Sequence, residues 1–321
     1  MNETLLLSRS DVERLLTPEV CIAAVEDAFR QLADGKVPPP GILGMHGGEG
    51  SFHVKAGFLA ADRPYFAAKL NANFPQNGPR HGLPTIQGAV ILSDAVNGAP
   101  LAIMDSISIT ALRTAAATAV AAKYLAPRTC ETVLICGCGG QASAQLRALA
   151  EVRKWRRLLV YDQDQGRAAA FASAHGAAPV ADLAAAVGSS QVIITCTSAR
   201  RYFITREMAR PGTFIAAVGA DHEEKQEIQP QLLAAAKVVT DLTGQAAQIG
   251  DLHHAIAAGV MTKGSVHAEL GEVITGRKRG REREDEVIVF DSTGTGLQDV
   301  AAAIAVYRRA LDARAGVPFV L

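Results

Sequence analysis

The stretch Val133-Leu134-Ile135-Cys136-Gly137-Cys138-Gly139-Gly140-Gln141-Ala142 constrains this chain most. An apolar run of strand character leads into a glycine turn, and a segment of helical character follows. The spacing is G-x-G-x-x-A, with Gly137, Gly139 and Ala142 at the marked places, which is the pattern of a dinucleotide-binding turn. Gly137 allows the tight turn, and Gly139 lets the backbone approach a pyrophosphate. Ala142 is small enough for the helix to pack closely on the strand. The helix start then offers N–H groups and a partial positive charge to the phosphates. The motif lies mid-chain, so the residues before it must build something else.

A length of 321 residues suggests about two domains. Thirty-two basic residues balance thirty-two acidic ones, so no global charge points to nucleic acid or to an anionic membrane. No apolar run approaches the ~20 residues that span a bilayer. Met1-Asn2-Glu3-Thr4 lacks the basic start of a signal peptide. The five cysteines are odd in number and scattered, which argues against a disulfide framework. Cys136 and Cys138 flank Gly137, but no second cluster completes a zinc site. A cytoplasmic setting with structural thiols and no bound metal is the expectation.

Residues 10–35 carry helical spacing at Val20, Ala23, Ala24, Ala28 and Leu32, with Ser10 and Thr17 as N-caps. Gly35 and Pro38-Pro39-Pro40 end it. From Ser51 to Asp105 short apolar runs alternate with Gly, Pro, Asn and Asp, and Asn97-Gly98 signals a hairpin. This predicts a mostly antiparallel sheet. Thr110 to Leu125 reads as an alanine-rich helix stopped by Pro127. Beyond the glycine turn, strands at 157–161, 192–197, 213–218, 237–241 and 287–290 alternate with helices, which predicts a parallel, doubly wound sheet. The charged run Arg277 to Glu286 reads as a solvated loop, or alternatively as a basic patch. Asp299 to Arg314 reads as a final amphipathic helix.

Several side chains are candidates for chemistry. An acid that holds the ribose hydroxyls is expected about 20 residues after the glycines. Asp162, at the end of Leu158-Leu159-Val160-Tyr161, meets that expectation, with Asp164 as the substitute. A carboxylate there repels a 2′-phosphate and favours NAD over NADP. Lys69 follows an apolar run, and is either an anchor for a substrate carboxylate or an exposed strand end. Arg113 sits in an apolar helix and therefore needs a partner, either a structural carboxylate or a ligand. Asp221 follows Ala216-Ala217-Val218-Gly219-Ala220, where a strand end puts it near a bound cofactor as a proton acceptor or donor. Asp291-Ser292-Thr293-Gly294 also follows a strand, and either closes the site or makes a turn and helix cap. His253, His254 and His267 read as surface or packing residues.

Together these residues resemble the ornithine cyclodeaminase/μ-crystallin family over nearly the whole chain. The resemblance lies in Ala68-Lys69-Leu70-Asn71 with Pro75-Gln76-Asn77, in Thr110-Ala111-Leu112-Arg113-Thr114-Ala115-Ala116, and in the glycine turn. Val218-Gly219-Ala220-Asp221, Ala268-Glu269-Leu270-Gly271-Glu272-Val273 and Phe290-Asp291-Ser292-Thr293-Gly294 complete it. It implies an α/β protein and a homodimer. A Rossmann NAD-binding domain would span 113–298. An α+β substrate-binding and dimerisation domain would be built from 1–112 and 299–321.

By the same resemblance Lys69 and Arg113 hold the substrate carboxylate, with Thr293 near the substrate. Asp221 is the acid/base, and Lys225 contacts the cofactor. The cofactor-binding set is Thr85, Arg113, Gly137, Cys138, Gly139, Gly140, Gln141, Asp162, Thr197, Val218, Gly219, Ala220, Lys225 and Ser292. The implied reaction is hydride transfer at the α-carbon of an amino acid, followed by deamination and ring closure, as in ornithine to proline plus ammonia. The alternatives are an imine reductase acting on a pyrroline-2-carboxylate, an alanine dehydrogenase-like enzyme, and a non-catalytic ligand binder. Two departures bear on the substrate. The family's carboxylate-gripping arginine after the proline-rich turn is missing from Pro38-Pro39-Pro40-Gly41-Ile42, and Lys55 stands as its replacement. His53 occupies the place of an acidic residue, where the δ-ammonium of ornithine gains little.

Overall fold

The computed structural model describes residues 3–321, so Met1 and Asn2 of the N-terminal reading lie outside the described residues. The chain divides into two units, one formed by Met1–Thr114 with Thr295–Leu321 and the other by Ala115–Gly294. The sequence reading puts these boundaries after residues 112 and 298. In chain order the first unit begins with β1 (Thr4–Leu7), α1 (Arg9–Leu15), α2 (Pro18–Ala33), β2 (Gly41–Gly47), β3 (Gly50–Ala60) and β4 (Pro64–Asn73). It continues with α3 (Asn77–His81), β5 (Ile86–Asp94), β6 (Pro100–Asp105) and α4 (Ser106–Leu125), within which the division falls. The second unit opens with β7 (Thr132–Cys136), α5 (Gly140–Val152), β8 (Arg157–Tyr161), α6 (Gln165–His175), β9 (Ala178–Pro179), α7 (Leu183–Ser189) and β10 (Val192–Thr195). Next come β11 (Arg200–Ile204), β12 (Phe214–Ala217), β13 (Gln226–Ile228), α8 (Pro230–Ala235) and β14 (Lys237–Thr240). The unit closes with α9 (Thr243–Ile249), α10 (Asp251–Ala257), β15 (Ala268–Glu269), α11 (Leu270–Ile274) and β16 (Ile288–Asp291). The chain then returns to the first unit for α12 (Gly296–Ala313) and β17 (Val317–Phe319).

The first unit holds a seven-stranded sheet in the order β17-β1-β6-β5-β4-β3-β2. All its pairs are antiparallel except β1 with β6. Alternation along β4 sends Tyr65, Ala67 and Lys69 to the buried face, and Leu70 to the other. Helices α2 and α12 lie on the buried side against β3. Gly296, at the start of α12, lies against the β3 backbone, where a Cβ would stand 2.5 Å from the Ala56 carbonyl oxygen. Thr17 caps α2 as expected, but α1 is capped by Ser8 rather than by Ser10. Ser8 accepts from the Asp11 N–H while the Asp11 carboxylate accepts from the Ser8 N–H, a reciprocal pair that fixes the start two residues earlier.

The second unit is an eight-stranded parallel sheet in the order β15-β14-β16-β12-β10-β7-β8-β9. Its central strands are buried along their length, as continuous apolar runs such as Val192-Ile193-Ile194 require when helices cover both faces. From β7 the chain builds outward through β8 and β9, then crosses back to place β10 on the other side of β7. This reversal is the topological switch point of a doubly wound fold, where ligands bind beyond the carboxyl ends of the strands. The charged run 277–286 is an ordered turn. Arg281 donates to the carbonyls of Leu125 and Glu286, and Lys237 bonds Gly280 and pairs with Glu282 and Glu286.

Candidate active site

In the first unit three of the expected residues come together. Lys69 is not an exposed strand end, because β4 runs on to Asn73 and Lys69 is only 2% exposed. Lys55 lies directly across from it in the β3–β4 register, on the same buried face. Arg113 enters from α4. The partner its apolar helix required is a structural carboxylate, Asp299 of α12. Asp299 Oδ1 accepts from Lys69 Nζ at 2.8 Å and from Arg113 Nε at 2.9 Å. Gln298 Oε1 accepts from Arg113 Nη1 at 2.9 Å, and Lys69 also reaches Thr110 Oγ1 at 3.2 Å. Asp299 Oδ2 and Gln298 Nε2 are buried and find no partner among the described residues.

Burial, followed by the Arg113 charge, pushes the Lys69 ammonium down to about 7 against the support of Asp299. Burial works to raise Asp299, yet Lys69 and Arg113 beside it hold the carboxyl below its usual range. Two buried cations, Lys69 and Arg113, therefore share one ionised carboxylate. Neither Asp299 nor Gln298 was among the sequence candidates. The signal was there, since a charged residue in the apolar run Leu297 to Ile304 raises the same demand for a partner as Arg113 does. Thr85, the remaining first-unit candidate, lies on the loop before β5, where its carbonyl accepts from Phe74 N–H.

In the second unit the candidates line the carboxyl edge of the sheet. Gly137 turns with φ +97°, and a Cβ there would meet the Cys196 carbonyl oxygen at 2.8 Å. Gly139 and Gly140, at the start of α5, have nothing within 4 Å of a built Cβ, so the turn is backed on one side and open on the other. Ala142 is fully buried against the strand. Asp162 ties the turn to β8, its Oδ2 accepting from Cys138 N–H at 2.9 Å and its Oδ1 from Asp164 N–H at 2.9 Å. Each oxygen keeps a second lone pair for a ribose hydroxyl. Asp164 is the N-cap of α6, accepting from Arg167 N–H, which leaves Asp162 as the ribose candidate. The open turn, the helix start and this carboxylate fit a dinucleotide. Burial pushes the Cys138 thiol up to about 11, consistent with a structural role.

A carboxylate outside the candidate set organises the neighbouring loops. Glu227 is fully buried and accepts from Thr195 Oγ1, from the N–H and Oγ1 of Thr197, and from Gly219 N–H, all between 2.6 and 2.8 Å. It thereby fastens the ends of β10 and β12 together. Thr197 thus spends its hydroxyl on Glu227. Val218 and Ala220 are buried on either side of Gly219. Asp221 follows, about half exposed, and pairs with Lys225 at 2.6 Å. His254 Nε2 lies 2.9 Å from the Lys225 carbonyl oxygen, a packing role as expected.

At the end of β16, Asp291 does not cap α12. It accepts from the Asp251 and Leu252 N–H groups at the start of α10. Thr293 donates to Asp241 and accepts from Gln245, so its side chain serves the fold, while the buried Ser292 hydroxyl has no partner among the described residues.

A sequence profile shared by known proteins matches residues 2–314, and its description is the ornithine cyclodeaminase/mu-crystallin family. The chain belongs to this family. An alanine dehydrogenase of Archaeoglobus fulgidus is 38% identical over 317 residues, covering 98% of this chain and 97% of that one. Among solved structures, an archaeal alanine dehydrogenase dimer with bound NAD superposes with a TM-score of 0.94 at 37% identity, covering 99% of each chain. The Thermococcus litoralis Δ1-pyrroline-2-carboxylate reductase in complex with NADH and L-proline superposes with a TM-score of 0.91 at 34% identity, covering 98% of this chain and 99% of that one. The family thus includes dehydrogenases and reductases as well as the cyclodeaminases of its description.

Proposed function

We propose that this chain is an NAD-dependent oxidoreductase that interconverts small α-amino acids and the corresponding imino acids. The observation that carries the reading is the surplus of buried positive charge. Lys69 and Arg113 share the one carboxylate of Asp299, and a substrate carboxylate supplies the second anion. Bound NAD supplies hydride exchange at the α-carbon. Lys69 and Arg113 grip the carboxylate and so orient that carbon, which is worth far more than binding alone. Asp221 accepts and returns the proton on nitrogen. Asp162 holds the adenosine ribose, and its charge favours NAD over NADP. Gly137 to Gln141 admit the pyrophosphate at the start of α5. Thr85, Arg113, Thr197, Val218, Gly219, Ala220, Lys225 and Ser292 complete the cofactor contacts, with Thr293 near the substrate.

A second reading is cyclodeamination of ornithine to proline and ammonia, without net oxidation. It is favoured by the retained Asp221 in the run 219–227. Against it, the β3 residue paired with Asn71 is His53, which offers a second ammonium no carboxylate. Incubation with NAD and alanine, proline or ornithine separates the readings. The oxidoreductase accumulates reduced nicotinamide. Proline and ammonia formed from ornithine without that accumulation would establish the cyclodeaminase instead, and NAD binding with no turnover of any of them would leave a ligand binder. Lys69→Ala is expected to raise the amino-acid KM about 30- to 100-fold, since a charge-assisted contact contributes about 2–3 kcal/mol. Its affinity for NAD stays near that of the wild type. Asp221→Asn is expected to lower kcat about 100-fold or more.

A further inference from the structure

We infer that Asp299 is a positioning residue, which from α12 holds both cations of the carboxylate site in one geometry and makes the affinity of that site depend on pH. This rests on Lys69 and Arg113 being the pair that grips the substrate carboxylate. One oxygen atom, Asp299 Oδ1, takes a hydrogen bond from each cation, so Lys69 Nζ and Arg113 Nε converge on a common point. Without a carboxylate between them, two buried like charges repel, and the flexible lysine moves or loses its proton first. Gln298, the preceding residue of α12, takes a second N–H of Arg113 and fixes the plane of the guanidinium. The helix is itself seated by the contact of Gly296 with Ala56 on β3. The orientation of the two cations is therefore set by the register of α12.

A purely structural ion pair would balance its charges and satisfy its polar atoms. This one does neither. Two cations, Lys69 and Arg113, meet one carboxylate, and the buried Asp299 Oδ2 and Gln298 Nε2 are left without partners among the described residues. The charged groups that act most strongly on Lys69 are Arg113 of α4, Asp299 of α12 and Lys55 of β3. Thr110 of α4 adds a neutral hydroxyl. From α2, Cys21 faces Arg113 and Asp299, and burial pushes its thiol up to about 12, so it stays neutral. Asp299 is thus the anion that offsets the effect of burial and of the other cations on Lys69. Its removal lowers the pH at which Lys69 gives up its proton, and with that proton the site loses a donor to the substrate.

The test uses pyruvate, a 2-oxo acid that carries the carboxylate without the amine, titrated into the NAD-loaded protein by calorimetry from about pH 6 to about pH 9. Wild-type affinity is expected to fall as the pH rises through about 7. Asp299→Asn is expected to bind pyruvate about tenfold more weakly at the acid end. The fall in its affinity should begin about one pH unit lower. Asp299→Glu keeps the charge but displaces it, so it should weaken binding while leaving the pH of the fall in place. It also serves as the variant to measure if Asp299→Asn does not fold. An asparagine variant with wild-type affinity and an unmoved fall overturns the inference, as does a glutamate variant whose fall shifts like that expected of asparagine. A wild-type protein that shows the pH-dependent binding but oxidises no amino acid overturns the proposed reaction and leaves the role of Asp299 standing. A wild-type protein that binds no carboxylate overturns both.

Discussion

Asp251 Oδ1 accepts the N–H groups of Glu227 and Ile228, while its Oδ2 is buried without a partner among the described residues. Its nearest charged neighbours are Asp291 and Glu227, both carboxylates and both fully buried. Burial, and then these like charges, push Asp251 well above the usual carboxylate range, and burial pushes Asp291 up to about 7. The folded protein thus holds protons on this cluster that the unfolded chain releases near pH 4. The stabilisation is complete below that pH and is lost as the pH rises through about 7. Asp251→Asn keeps the Oδ1 acceptor and puts a permanent donor where a protonated carboxyl would have one. Its unfolding free energy should therefore fall less between pH 6 and pH 8.5 than that of the wild type, by on the order of 1 kcal/mol, measured by denaturant melts at each pH. Equal slopes for the two proteins would mean that the cluster carries no shared proton. None of this was legible in sequence, because Glu227, Asp251 and Asp291 read singly as ordinary acids of loops and turns.

At the scale of elements, the strands buried on both faces were the easiest to read. β7, β8, β10, β12, β14 and β16 are short apolar runs bounded by turn residues, and the expected spans agree with them to within a residue or two at each end. β2 was missed. Its seven residues, with three glycines, are all exposed and are held as an edge strand by pairing with β3. The alternation that reveals a half-buried strand is therefore absent from it. The sequence pattern predicts α12 from Asp299, whereas the helix starts three residues earlier, at Gly296. That early turn matters, since it contains the contact that seats the helix. Gly296→Ala would push a Cβ against the Ala56 backbone, which cannot yield as a side chain tip can. We expect a loss of about 1–3 kcal/mol in unfolding free energy. The amino-acid KM should also rise by a larger factor than the Kd for NAD, because α12 carries Asp299. A variant as stable and as active as the wild type would show that the helix finds another seat.

At the scale of the whole molecule, the sheet of the first unit carries a row of large apolar side chains on the face opposite Lys55 and Lys69. Leu43, Met45, Phe52, Phe58, Leu70 and Ile91 are each at least 42% exposed there, and strand register places them on neighbouring strands. A patch of this kind marks an association surface. We propose that a second copy of the chain covers it, making the homodimer that the sequence resemblance implies. Leu70→Glu, at the centre of the face, is expected to yield monomers in light scattering after gel filtration. A dimer of unchanged stability would place the interface elsewhere. No helix among the described residues is long and apolar enough to cross a membrane, so the patch is not part of a helical span.

The amino-acid sequence by itself determined the parallel sheet, the antiparallel sheet and the glycine turn. It also determined the family, whose motifs are contiguous. Those features depend on short-range physics. A glycine that allows a tight turn at 137, a run of branched apolar residues, or an acid at a strand end is visible within a few residues. The tertiary structure decided which charges meet. Lys69 lies 230 positions from Asp299, and Arg113 lies 186 from it. Nothing local in the chain says that a carboxylate from the last helix closes on a lysine of β4. Packing that helix on the sheet brought the three together and buried them, and burial made their charges strong enough to define a site.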